Sequence, residues 1–168
     1  MQDVIVARPL TREAFEPYGE VIAIEGAESF PINAGMCQRY HDLARVEAEG
    51  PNARVLINLF RGQPYGFPLQ LAFVERHPFG SQAFMPLGRG SYLVAVCHDT
   101  VDGPGRPEAF VAGPGQGVNY TRNLWHAVLT PIGEAQDFLV VDRGGDGSNL
   151  EEHHFDTPYE IRLPEGGA

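Results

Sequence analysis

Two side chains that can exchange a proton, Glu75 and His77, stand two residues apart in FVERHPFGSQAFMPLG, residues 73–88. Apolar residues flank them, so the stretch reads as a strand, a tight turn at Pro78 and Gly80, and a second strand. Alternate side chains of a strand share a face. Leu71, Phe73, Glu75 and His77 therefore point one way and Arg76 the other. The apolar members mark the inner face, which carries Glu75 and His77 inward, and Gln82 and Phe84 point back inward from the second strand. A buried carboxylate is costly unless it is paired or bound to a metal. Two roles meet that demand: a Glu–His hydrogen bond plugging a barrel mouth, or a site for acid–base or metal chemistry.

The elements that must position these groups are short. TREAFEPYG is the best helical stretch, capped by Thr11 and stopped by Pro17 and Gly19. Strand patterns follow in GEVIAI, GMCQRYH, ARVLINLFR, LQLAFVERH, SQAFMPL, SYLVAVCH, EAFVAG, QGVNYTR, WHAVLTP and AQDFLVVDR. Turn signals recur about every 8–12 residues, the spacing of a β-sandwich or barrel. No helical pattern alternates with the strands, which argues against a βαβ fold. The 20 Gly and 14 Pro are dispersed, as many turns require. The expectation is a single all-β domain over residues 1–168 with a short N-terminal helix. PYEIRLPEGGA at the end reads as an edge strand with a frayed terminus.

The spacing resembles that of the cupin barrels. Their first motif, G-x5-H-x-H-x3-4-E-x6-G, places two imidazoles and a carboxylate on a hairpin around one metal ion. Glu75, His77 and Gln82 fall on its His, His and Glu positions, and Leu69 stands at the opening Gly. The second motif, G-x5-P-x-G-x2-H-x3-N, aligns with GQGVNYTRNLWHAVLT, where Gly115 and His126 are kept and Thr121, Asn123 and Thr130 replace Pro, Gly and Asn. The resemblance implies a cupin-type double-stranded β-helix (jelly-roll) barrel with Glu75, His77, Gln82 and His126 around one point. Those four donors suit a divalent ion such as nickel, manganese or zinc, and suit metal-free acid–base work equally.

ERHPFGSQAF, GQGVNYTRNLWH, DFLVVDRGG and INAGMCQRYHDLA, in one chain, resemble the ureidoglycolate lyase family from about Thr11 to Asn149. The tail PYEIRLPEGGA is not matched. This resemblance implies a homodimeric enzyme of allantoin and purine degradation that splits (S)-ureidoglycolate into glyoxylate and urea. A divalent metal, nickel among the candidates, is associated with the family. His77 and His126 are then the candidates for proton transfer, with Glu75 orienting an imidazole and Gln82 bonding the substrate, or all four serving as metal ligands.

A substrate carboxylate calls for a guanidinium fork. Arg61 ends a row with Val55, Ile57 and Leu59 that reads as the inward face of its strand, and Arg122 shares parity with Tyr120. Tyr120 can donate to the substrate or cap the core, and the Asn33 amide suits a urea group or a plain turn. Trp125 reads as core or dimer interface, His153 and His154 as solvated, and DRGGDGSN lacks the spacing of a calcium loop. The net charge of −10, with only 12 Lys and Arg, argues against nucleic acid and anionic membranes. No segment reaches the length of a membrane span and the N-terminus lacks a leader pattern. Cys37 and Cys97 form no CxxC, which suits the cytoplasm. The competing expectations are a metal-dependent cupin enzyme acting on another small carboxylate and a non-catalytic cupin binding module.

Overall fold

The computed structural model describes residues 3–166. Along the chain run β1 (Val4–Val6), β2 (Arg8–Pro9), α1 (Arg12–Phe15), β3 (Gly19–Ile22), β4 (Ser29–Ile32), β5 (Cys37–Tyr40), β6 (Arg54–Gly62), β7 (Leu69–Arg76) and β8 (Gln82–Pro86). There follow β9 (Tyr92–Cys97), β10 (Asp99–Thr100), β11 (Gly103–Pro104), β12 (Glu108–Ala112), β13 (Gly117–Tyr120), β14 (Trp125–His126), β15 (Thr130–Pro131), β16 (Gln136–Gly144) and β17 (Glu151–Arg162). The helix is one turn long and begins where the Thr11 hydroxyl accepts from the Ala14 N–H, as its sequence predicts.

Two sheets face each other as a nearly closed, cupin-like barrel. The larger has the order β1-β17-β7-β14-β9-β12-β2, with β15 also on β9; the smaller has the order β3-β13-β8-β16-β6. Between them lies a core of Phe15, Tyr18, Phe84, Tyr92, Phe110, Phe138 and Val140. A second cluster, with Leu93, Ala95, Cys97, Trp125 and Ile161, covers the far face of the larger sheet. SYLVAVCH is apolar without alternation for this reason: Tyr92, Val94 and Val96 enter the first core, and Leu93, Ala95 and Cys97 the second.

Four expectations need correction. Leu71 does not share the inner face with Glu75: it joins Val74 in the second cluster, because the β7–β17 register breaks between His154 and Tyr159. The tail is not an edge strand, because β17 lies between β7 and β1, which pairs with it in parallel from Val4↔Glu160 to Val6↔Arg162. WHAVLTP is two bridges, β14 and β15, instead of one strand. The inward row of β6 is Leu56, Asn58 and Phe60, not Val55, Ile57, Leu59 and Arg61. Phe60 pairs with Phe138 and Asn58 with Val140, both core residues, so the odd positions face out. Val55, Ile57 and Leu59 are accordingly 51%, 74% and 72% exposed.

Candidate active site

The β7–β8 turn and the two-residue β14 meet at the mouth of the barrel. His126 is directly opposite Glu75 on β7 and Val96 on β9, so it enters the inner core, while its neighbour Trp125 faces Cys97 on the other side. The Asn123 N–H donates to His77 O at 3.0 Å and ties the loop before β14 to the end of β7. At the turn, Gly80 is required by contact: a Cβ there would lie 2.5 Å from Arg143 Cβ on β16. This close approach delivers Gln82 to the start of β8, where it pairs with Tyr120.

Ligand-capable atoms of Glu75, His77 and His126 lie within 4.8 Å of one another. The imidazole rings are 5.2 Å apart, and His126 is stacked on Tyr120 at 4.3 Å and 14°. His77 Nδ1 is 2.8 Å from Asn149 O, and His126 Nδ1 is 2.9 Å from Ala127 O. A carbonyl only accepts, so each Nδ1 carries the proton and each Nε2 keeps its lone pair while the ring is neutral. Both Nε2 atoms, and Gln82 Oε1, are buried without a hydrogen-bond partner among the described residues. Leaving such atoms unpaired costs about 1–3 kcal/mol each. A ligand that donates to them, or an ion that takes their lone pairs, would recover it.

The surroundings tune these groups in opposite directions. Burial, with a smaller effect from His77, pushes His126 down to about 3, against a weaker opposing effect of the Ala127 carbonyl. Its imidazole is therefore neutral near pH 7. Burial raises the Glu75 carboxyl, partly countered by His77, whose Nε2 is 3.8 Å from Glu75 Oε1. Burial, then the Glu75 charge, raises the Tyr120 hydroxyl.

The structure thus brings Glu75, His77, Gln82, Tyr120 and His126 together. It does not bring Arg61 there: the side chain lies on the outer face of β6, with Nε and Nη2 on the two oxygens of Asp137 at 2.7 and 2.8 Å. Arg122 sits on the exposed loop after β13, 3.0 Å from Glu49. Asn33 is exposed at the turn between β4 and β5 with φ 53°. Arg76 points outward as its parity predicts, but it pairs within the chain, with Glu151 and Asp99, and lies over the Trp125 ring. Sequence reasoning missed Asn149, whose carbonyl fixes His77 and whose Oδ1 accepts from Phe79 N–H at 2.7 Å. It belongs to DRGGDGSN, so that loop anchors the turn carrying the site.

Comparison with known proteins decides the kinship. The ureidoglycolate lyase family model matches residues 2–162. The chain belongs to the ureidoglycolate lyase family. Because the match extends to Arg162, PYEIR of the tail lies inside it, contrary to the expectation from sequence. Ureidoglycolate lyase of Mesorhizobium japonicum is 67% identical over 95% of this chain and 98% of its own. That of Chelativorans sp. is 63% identical over 96% and 98%. Ureidoglycolate lyase 2 of Rhizobium meliloti is 56% identical over 92% and 94%. As a member of the ureidoglycolate lyase family, this chain has its unpartnered imidazole nitrogens on the inner wall of the family's barrel.

Proposed function

We propose that this protein cleaves (S)-ureidoglycolate to glyoxylate and urea, in the degradation of allantoin and purines. The observation that carries the reading is the convergence of His77 Nε2, His126 Nε2 and Gln82 Oε1, all unpartnered, beside Glu75 in a chain of this family. The substrate is a carbinolamide with a carboxylate. Its cleavage removes the hydroxyl proton, forms the aldehyde C=O, breaks the C–N bond and protonates the departing nitrogen, so no net proton is consumed.

His77 is the group best placed to carry that proton. Its Nε2 holds a lone pair, and Glu75 stabilises the imidazolium formed when the hydroxyl proton arrives. The same proton then passes to the urea nitrogen. His126, enclosed and neutral, is a weak base but a good acceptor and ligand. Tyr120 holds its ring in place by stacking. Lyase chemistry requires that water be kept from the urea carbonyl, since its attack there would release ammonia.

The donor set fits a divalent ion. Glu75, His77, Gln82 and His126 are the residues that would hold it, with nickel one candidate, and neutral His126 is the imidazole most suited to ligation. When bound, such an ion would supply polarisation of the substrate hydroxyl and carboxylate.

Homodimerisation and a cytoplasmic location belong to the same proposal. The exposed Ile57 and Leu59 support the first, and two free cysteines the second. Among the described residues no helix is long and apolar enough to cross a membrane. The charge of −10 favours a small-molecule substrate over nucleic acid or a membrane.

Product analysis tests the activity. Purified protein and fresh racemic ureidoglycolate should yield urea and glyoxylate in equal amounts above a no-enzyme control. Ammonia in place of urea would mean hydrolysis, and no acceleration, with or without added divalent metal, would end the lyase reading.

A further inference from the structure

The wall of the barrel opposite the imidazoles carries a second carboxylate. Asp142 lies on β16 two residues beyond Val140, which is fully buried in the inner core, so both share the inner face. Across one ladder Asp142 is paired with Leu56 of β6. Across the other, Val141 pairs with Ala83, so the next step of that antiparallel register sets Asp142 beside Gln82. Gln82 in turn pairs with Tyr120. Residues directly opposite in adjacent strands have Cβ atoms about 4.5–5.5 Å apart. Leu56, Asp142, Gln82 and Tyr120 therefore form one cross-strand row, and its last member is stacked on His126.

A half-buried Asp on an inner face needs a reason, and a structural one is incomplete. Asn58 Nδ2 donates to Asp142 Oδ1 at 2.9 Å. The amide orients the carboxylate without neutralising it. The polar pair stands among Leu56, Phe60 and Phe84, where apolar side chains would fill the same wall.

We propose that Asp142, oriented by Asn58, is the acceptor for the ureido N–H groups of the substrate, a proposal that rests on the lyase reading above. A ureido group presents an N–H and an NH2 donor side by side on one edge. A carboxylate matches that edge with two parallel hydrogen bonds, as it matches a guanidinium. With the ureido end held at this wall, the hydroxyl is turned toward His77, whose Nε2 lone pair takes its proton. One acid then sets the orientation of the molecule and leaves the C–N bond between Asp142 and the imidazoles. A site with a buried polar group built for a donor rejects analogues that lack it. The inferred ligand class is ureido acids, as opposed to carboxylic acids in general.

The test uses the full-length protein and calorimetry with two non-reacting probes. Hydantoate has the ureido group and the carboxylate but no hydroxyl. Glyoxylate has the carboxylate and no ureido group. Asp142→Asn should weaken hydantoate binding tenfold or more and leave glyoxylate binding within about twofold. Asn58→Ala should weaken hydantoate in the same direction by less, and it keeps the test open if Asp142→Asn fails to fold. Equal loss for both probes, unchanged hydantoate binding in either soluble variant, or a wild type that ignores hydantoate would overturn the proposal. Binding needs no turnover, so a wild type that holds hydantoate but makes no urea would sink the lyase reading and leave the ureido site standing.

Discussion

His126 combines full enclosure with an unpartnered Nε2, and this makes its role separable from its packing. His126→Gln keeps a polar side chain against Tyr120 and should lower kcat by about tenfold or more, the scale of a buried hydrogen-bond partner lost; activity within about twofold of wild type would remove His126 from the chemistry. The same residue predicts an acid response. Unfolded, its imidazole binds a proton near pH 6.5; folded, burial holds it down to about 3. Between those values the unfolded state carries a proton that the folded state lacks, so stability rises with pH in that window and is lost as pH falls below about 6.5. In chelator-treated protein, lowering pH from 7 to 4.5 should cost wild type about 2 kcal/mol more than His126→Gln in urea unfolding. Equal slopes would show that His126 is not held neutral. At this scale the sequence was informative where chain alternation decides: Glu75 faces in and Arg76 out. It was silent on Asn149, because a carbonyl reaching from 72 residues away leaves no local pattern.

Elements deliver these residues through contacts that a pattern of apolar positions does not record. The β7–β8 turn is pressed against β16, with Gly80 buried over Arg143 and the Arg143 guanidinium bonded to Glu49, Pro51 and Asp146 carbonyls. Gly80→Ala should force the turn or the Arg143 stem to move, costing about 1–3 kcal/mol and shifting Gln82 with it. Thermal unfolding reads the first effect and KM the second; a variant with wild-type Tm would mean the turn has room. Most strands were legible because apolar runs ended at Gly, Pro or Asn. The breaks were not. β14 stops after His126, whose neighbour Ala127 carries its N–H to Ala95 O and its carbonyl to the His126 ring. Long-range register, with β17 inserted between β1 and β7, depends on pairings that sequence distance hides.

For the whole molecule, the instructive failure is β6. Its more apolar row, Val55, Ile57 and Leu59, faces outward, and its inward row contains Asn58. Hydrophobicity marks the side that avoids water, and a barrel wall can avoid it by meeting another subunit as well as by closing on its own core. The inner face is free to be polar where it lines a site. Arg61 inherits the outward direction of this row and pairs with Asp137 at the surface. The proposed homodimer then has a specific requirement: the outer face of β6 must be covered. A stable interface buries about 1,200–2,000 Å² in total with an apolar centre. Ile57 and Leu59, at 74% and 72% exposed, are the side chains on which such a centre would be built. Placing a charge there leaves the inner core untouched, so Leu59→Asp should keep the circular dichroism of the wild type yet sediment as a monomer. Wild type and variant with one dimeric mass would move the interface elsewhere on the barrel, and a monomeric wild type would leave the apolar row to a different partner.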